Sequence, residues 1–275
     1  MQKFTLANHE DSLLPDGNWK LVWNDEFDGT ELDRTKWDFR MSMMGKRHYA
    51  WSDKAVHLDG NGNVVFDILM EDGHPVSSQL QTGYNFMDEP VQQTTFGCDH
   101  LQWPIGKLKK NLFTHLYGYY ECRCRLQQRP EGWWSAFWMQ SPIIGASLDP
   151  AETGTEIDIM ECFKTGEIVG HNAFTGGYGL DMTRATAGGV KGLDQTVFHR
   201  FGMLWDKTGY TFYIDGVEDG HISDNVSHAP EFILISTEVQ GYRNKFHYPC
   251  KASYDIGGKD QFIVDYVRVF DKIEA

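Results

Sequence analysis

Short stretches of strict alternation dominate this chain. Residues 119–126 (YYECRCRL), 210–214 (YTFYI) and 262–270 (FIVDYVRVF) place successive side chains on opposite sides, the period of a half-buried β-strand. The apolar runs 64–68 (VVFDI) and 232–235 (FILI) read as more deeply buried strands. Turn signals separate them: Asp59-Gly60-Asn61-Gly62, Asp72-Gly73, Asp215-Gly216 and Gly257-Gly258. No stretch of a dozen residues keeps a helical period. Many short strands joined by glycine-rich turns predict an all-β, two-sheet antiparallel sandwich. With 275 residues and neither linker nor internal repeat, one domain over 1–275 is expected, and the Gly-, Thr- and Ala-rich segment 176–192 is expected to be a long loop.

Composition narrows the partners. Against 25 Lys and Arg stand 39 Asp and Glu, a net charge of −14, which repels a phosphate backbone and argues against nucleic acid. No apolar run approaches the roughly 18 residues that span a bilayer, so no membrane partner is expected. The N-terminus has neither an apolar signal core nor a small-residue cleavage site. The expectation is therefore a cytoplasmic chain, or a secreted or periplasmic one whose signal has been removed. The five cysteines (Cys98, Cys122, Cys124, Cys162, Cys250) have no metal-binding spacing, and Cys122 and Cys124 read as small apolar residues on one strand face.

The most informative stretch is Gly154-Thr155-Glu156-Ile157-Asp158-Ile159-Met160-Glu161-Cys162-Phe163. In a strand Glu156 and Asp158 share one face, whereas Glu161, five positions from Glu156, would point into the core. A buried unpaired carboxylate is expensive, and a one-residue β-bulge near Ile159 or Met160 returns Glu161 to the face of the other two. Four effective pleat positions then separate the two Glu backbones by roughly 13 Å at ~3.3 Å per residue. Side chains leaning together close that to the ~5–5.5 Å carboxyl gap of a retaining glycosidase. Crowded like charges raise the pKa of one member and keep it protonated near neutral pH. The plainer reading is a solvated strand with an acidic outer face.

Glu156-Ile157-Asp158-Ile159-Met160-Glu161 resembles the E-x-D-x-x-E motif of glycoside hydrolase family 16, and further motifs follow in the family's order. The opening Trp23-Asn24-Asp25-Glu26-Phe27-Asp28-Gly29, the strand Tyr117-Gly118-Tyr119-Tyr120-Glu121-Cys122-Arg123 and the stretch Gly132-Trp133-Trp134-Ser135-Ala136-Phe137-Trp138-Met139 are similar to it, with Ser135 where Pro is usual. Phe198 to Trp205, Tyr213 to Gly216 and Val264 to Val269 complete a resemblance running from about residue 19 to 270. It implies a concanavalin-like β-jelly-roll with a substrate cleft on its concave face. It also implies a retaining endo-glycosidase in which Glu156 is the nucleophile, Glu161 the general acid/base and Asp158 the assisting carboxylate.

Trp134 and Trp138 share a strand face with Ala136, opposite Ser135, Phe137 and Met139, and suit stacking on sugar rings; Trp133 reads equally as core. His171 is a candidate because related enzymes often carry a histidine on the strand after the acidic one. Arg47, His48, Trp51, Glu238 and Arg243 are further polar or aromatic candidates for the substrate. The segment 236–243 and the loop 43–51 depart from the pattern of β-1,3-glucanases, so a β-1,3-glucan is the first expectation and a β-galactan such as agarose, porphyran or carrageenan a close second. A sulfated galactan calls for cations, for which Arg47, Arg184, Lys191 and Arg243 are available. The resemblance further implies a structural Ca²⁺ held by Glu26, Gly60 (or Gly62) and Asp265, with no cofactor for catalysis. A monomer acting on a polysaccharide is expected. The alternative is a non-catalytic, lectin-like carbohydrate-binding module, which has no need of all three carboxylates. A metallohydrolase fails on spacing, since the 11 His form no HxH or HExxH.

Overall fold

The computed structural model describes residues 1–43, 46–85, 88, 108–129, 131–163, 166–168, 170–239, 251–255 and 260–273. Two antiparallel sheets carry the fold. The first has seven strands in the order Thr183–Ala187, His171–Thr175, Glu156–Cys162, Trp133–Gln140, Phe232–Val239, Ser78–Gln81 and Asp38–Phe39. The second has eight: Val217–Ile222, Gly209–Ile214, His199–Asp206, Gly118–Arg125, Phe262–Lys272, Val64–Phe66 and Val56–Leu58, with Trp19–Asp25 also paired to the later residues of Phe262–Lys272. The architecture is the two-sheet antiparallel sandwich that the alternation predicts, in the β-jelly-roll form that the family resemblance implies.

The core lies between the sheets. Phe137, Met139, Ile157, Ile233 and Ile235 of the first sheet meet Tyr120, Cys122, Cys124, Phe201, Met203 and Val267 of the second, all buried. Each fully buried large apolar side chain contributes roughly 1.5–3 kcal/mol. Alternation is obeyed along Trp133–Gln140: Trp133, Phe137 and Met139 join the core, while Trp134, Ala136 and Trp138 line the opposite face, turned away from the second sheet. Cys122 and Cys124 are free, buried thiols packed as small apolar groups, as their spacing predicts.

The expectation of a long loop over 176–192 is corrected, because Thr183–Ala187 forms an edge strand there, pairing with His171–Thr175. Its small and mostly exposed side chains give little apolar alternation, which hides it from a pattern search. The α-helix among the described residues is the single turn Pro150–Thr153, with Asp149 accepting from the Ala151 amide at 2.9 Å and Pro150 at the first turn.

Candidate active site

That turn delivers the chain into the acidic strand. Gly154 follows it with φ +75°, and a Cβ there would come within 2.3 Å of the Ser141 side chain, so only glycine fits. Thr155 is then anchored from both its amide (2.8 Å) and its hydroxyl (3.1 Å) to Oε1 of the buried Glu231. The strand Glu156–Cys162 pairs with Trp133–Gln140 in a register that places Gln140 opposite Glu156, Trp138 opposite Asp158, and then Phe137 opposite Met160. Ile159 is the extra residue of a β-bulge. Ala136 therefore stands opposite Glu161, and Glu156, Asp158 and Glu161 all face one cleft with Trp134, Ala136, Trp138, Ser236 and Glu238.

The carboxylates occupy unlike environments. Glu161, 7% exposed, is pushed up to about 7 by burial and secondly by the charge on Glu156. Three donors or sharers oppose this rise: Trp134 Nε1 donates to Oε1 at 3.1 Å, Asn172 Nδ2 donates to Oε2 at 2.8 Å, and Asp158 shares a hydrogen bond. Thr186 Oγ1 donates to Asn172 Oδ1 at 2.8 Å and fixes which way that amide points. Glu156 is half-buried and accepts at Oε2 from Gln140 Nε2 (3.0 Å) and from the Tyr178 hydroxyl (2.5 Å). One carboxyl is thus kept ready to give a proton while its neighbour is ringed by donors.

The other expected substrate residues divide. Trp134 and Trp138 line the cleft; Trp138 Nε1 donates to Ser236 Oγ at 3.0 Å, and the Arg40 guanidinium lies 5.5 Å from its ring. Glu238 also lines it, accepting from Gln79 Nε2 at 2.5 Å. His171 does not. It is wholly buried between the sheets, stacked on Phe212 at 4.3 Å, with Nδ1 donating to the Ile159 carbonyl at 2.7 Å and Nε2 3.0 Å from Asp219. The register pairs Asn172, one residue on, with Asp158, and strand alternation sends His171 to the opposite side. Trp51 is not among the residues that line the cleft: it is buried, with one face against the His48 ring at 4.3 Å. Arg47 bonds the Trp51 carbonyl at 3.3 Å and is not among the residues that line the cleft. Arg243 lies outside the described residues, as do Cys98 and Cys250.

Gln140, Asn172, Tyr178, Gln79 and Ser236 are site residues that reading the sequence misses. Gln140 continues the even-numbered face of Trp134, Ala136 and Trp138, and Gln79 alternates with the core residue Leu80, so both were legible from parity. Tyr178 comes from a glycine-rich turn, where no periodicity points anywhere.

The expected calcium ligands fit poorly. Arg268 grips the Glu26 carboxylate through Nε (2.9 Å) and an Nη (2.7 Å), and Arg123 holds Asp265 at 2.6 Å, so neither offers the free charge a hard cation needs. Gly62, rather than Gly60, faces the Glu26 carbonyl, at 3.6 Å from a Cβ built on it. No group of three His, Cys, Asp or Glu side chains among the described residues is placed to hold a metal. Glu26 instead ties the opening segment to the last strand.

The fold is thus a jelly-roll with three carboxylates on a bulged strand that faces one cleft edged by indoles. Residues 76–232 match the family described as Glycosyl hydrolases family 16, more than half of the chain. The chain belongs to that family. Among curated relatives it is 24% identical over 206 residues to Glucan endo-1,3-beta-glucosidase A1 of Niallia circulans, covering 71% of this chain but 28% of that protein. It is 24% identical to Beta-glucanase of Rhodothermus marinus over 282 residues, covering 94% and 87%. The solved structure of SCLam, a non-specific endo-beta-1,3(4)-glucanase from family GH16, superposes with a TM-score of 0.66 at 21% identity, covering 93% of this chain and 92% of that one. The chain thus spans under a third of its Niallia circulans relative.

Proposed function

We propose that the protein hydrolyses internal β-linkages of a β-glucan with retention of anomeric configuration. The observation that carries this is the pair of unlike carboxyls on one cleft face: Glu161, buried and raised to about 7, and Glu156, held by two donors. Glu161 gives its proton to the leaving glycosidic oxygen while Glu156 Oε attacks the anomeric carbon, forming a glycosyl-enzyme. Glu161, now a carboxylate, takes a proton from water, whose oxygen displaces Glu156. Asp158 sits between them and, sharing a hydrogen bond with Glu161, helps set where the proton rests. Trp134 and Trp138 supply flat apolar faces beside the cleaved bond.

A glucan is favoured over a galactan by the named relatives, which are glucanases, and a variant of SCLam presents a 1,3-beta-D-cellobiosyl-glucose at its active site. The test is reducing-sugar release from laminarin, lichenan, agarose, porphyran and carrageenan, with the first-formed anomer read by proton NMR. Laminarin or lichenan cleaved to the β-anomer is expected, and Glu156→Gln or Glu161→Gln lowers kcat by about 10³-fold or more with the fold intact. Near-normal turnover in Glu156→Gln overturns the mechanism. Binding of these polymers without any product makes the protein a lectin-like module.

A further inference from the structure

Gln140 ends its strand opposite Glu156 and stands between two unlike groups. Its carbonyl oxygen accepts from an Nη of Arg40 at 2.8 Å and from Asn85 Nδ2 at 2.6 Å. With two donors at that end, the amide nitrogen must face the other way, where it donates to Glu156 Oε2 at 3.0 Å and also meets the Tyr178 hydroxyl. Turning the amide over would set N–H groups against two donors and a carbonyl against a carboxylate. The direction of the Gln140 dipole is therefore fixed from behind.

Arg40 itself is 2% exposed, and a buried guanidinium persists only where its charge and its N–H groups are matched. Asp88 lies 3.2 Å from Nε and Asn85 Oδ1 3.1 Å from Nη, with Trp138 under the guanidinium plane at 5.5 Å. Asp88 is in turn held by Gln81 Nε2 at 3.0 Å and by the Asn85 amide at 2.9 Å. The arrangement is buried, hydrogen-bonded throughout, and reaches the cleft through the Gln140 side chain.

We propose that Arg40, acting through Gln140, is a positioning residue that holds Glu156 as a carboxylate directed into the cleft. Its value to catalysis rests on the nucleophile role given to Glu156 above. Among the described residues, the titratable and charged groups around Glu156 are Asp158 and Glu161 from its own strand, Glu238 across the cleft, the Tyr178 hydroxyl from the following turn, Glu231 behind Thr155, and the Arg40–Asp88 pair beyond Gln140. Of these Arg40 alone is cationic. A protonated Glu156 cannot attack, and the oriented amide with the cation behind it favours the carboxylate form.

The test compares wild type with Gln140→Met, which removes the amide at similar volume, with Arg40→Met/Asp88→Asn, which removes both buried charges together, and with Arg40→Lys. Glu156 is titrated by carboxyl carbon NMR, its signal assigned through Glu156→Gln, and kcat/KM on laminarin is measured against pH. In Gln140→Met and in Arg40→Met/Asp88→Asn the Glu156 midpoint rises by about one pH unit, the acid limb of kcat/KM follows it, and KM stays within about two-fold. Arg40→Lys falls between these and wild type, because a point charge restores the cation without the fork. An unmoved midpoint in folded variants, with only the melting temperature lowered, makes Arg40 merely structural and overturns the proposal. A shifted midpoint in a protein that cleaves no β-glucan upholds the hold on Glu156 and overturns the function proposed above.

Discussion

At Glu161 burial and a neighbouring charge work against a set of hydrogen bonds. Its carboxyl is raised by burial and by the charge on Glu156, and lowered by donors that favour the ionised form, Asn172 among them. Removing that donor by Asn172→Leu, similar in size, leaves burial in place and raises the Glu161 midpoint further. The alkaline limb of kcat/KM, set by loss of the Glu161 proton near pH 7, then moves up by roughly half a unit. A pH-rate profile checks it, and a limb that stays put or moves down removes Asn172 from the acid's environment. The same position shows how narrow the margin of sequence reading is. His171 and Asn172 are adjacent, and strand phase sends one to the interior and the other to the cleft. A histidine attracts attention for its chemistry, but the bond to Glu161 belongs to the asparagine.

At the scale of the strand, the bulge at Ile159 is the device that makes three acidic residues cofacial. A bulge leaves backbone groups outside the regular ladder, and here His171 Nδ1 donates to the Ile159 carbonyl from below at 2.7 Å. His171→Phe keeps a ring on Phe212 and removes the donor, leaving a buried carbonyl unmatched. The expected loss is about 1–3 kcal/mol of stability in urea denaturation, with KM for laminarin unchanged because the ring never reaches the substrate. A raised KM with undiminished stability assigns His171 back to the substrate. The need for a bulge was legible, because a regular strand would bury Glu161 beside Ile157 and Ile159 without a partner. The clamp was not, since its histidine and its Asp219 anchor come together only when the two sheets close.

For the molecule as a whole, two buried acids make stability depend on pH. Glu161 is raised to about 7 and Glu231 to about 8, both chiefly by burial, against an ordinary value of 4.5. Between 4.5 and those values the native state holds protons that the unfolded chain releases, so stability falls as pH rises, by up to about 1.4 kcal/mol per unit for each group. The net charge of −14 adds self-repulsion in the same direction. Melting temperatures are expected to drop from pH 5.5 to 8.5, and Glu231→Gln, neutral throughout, flattens that curve; parallel curves for the two proteins place the proton elsewhere. What the sequence alone determined is what depends on nearest neighbours along the chain: the strongly alternating strands with their inward and outward faces, the bulge and the three cofacial carboxylates, but not the edge strand Thr183–Ala187 or the side to which His171 points. These follow from a period of two and from the cost of burying charge. Only the tertiary structure decided which distant side chains meet them. Arg40 reaches Gln140 across 100 residues, Glu26 is taken by Arg268 across 242, and Tyr178 arrives from a turn with no pattern. Such meetings are fixed by sheet order and packing, which no local period encodes.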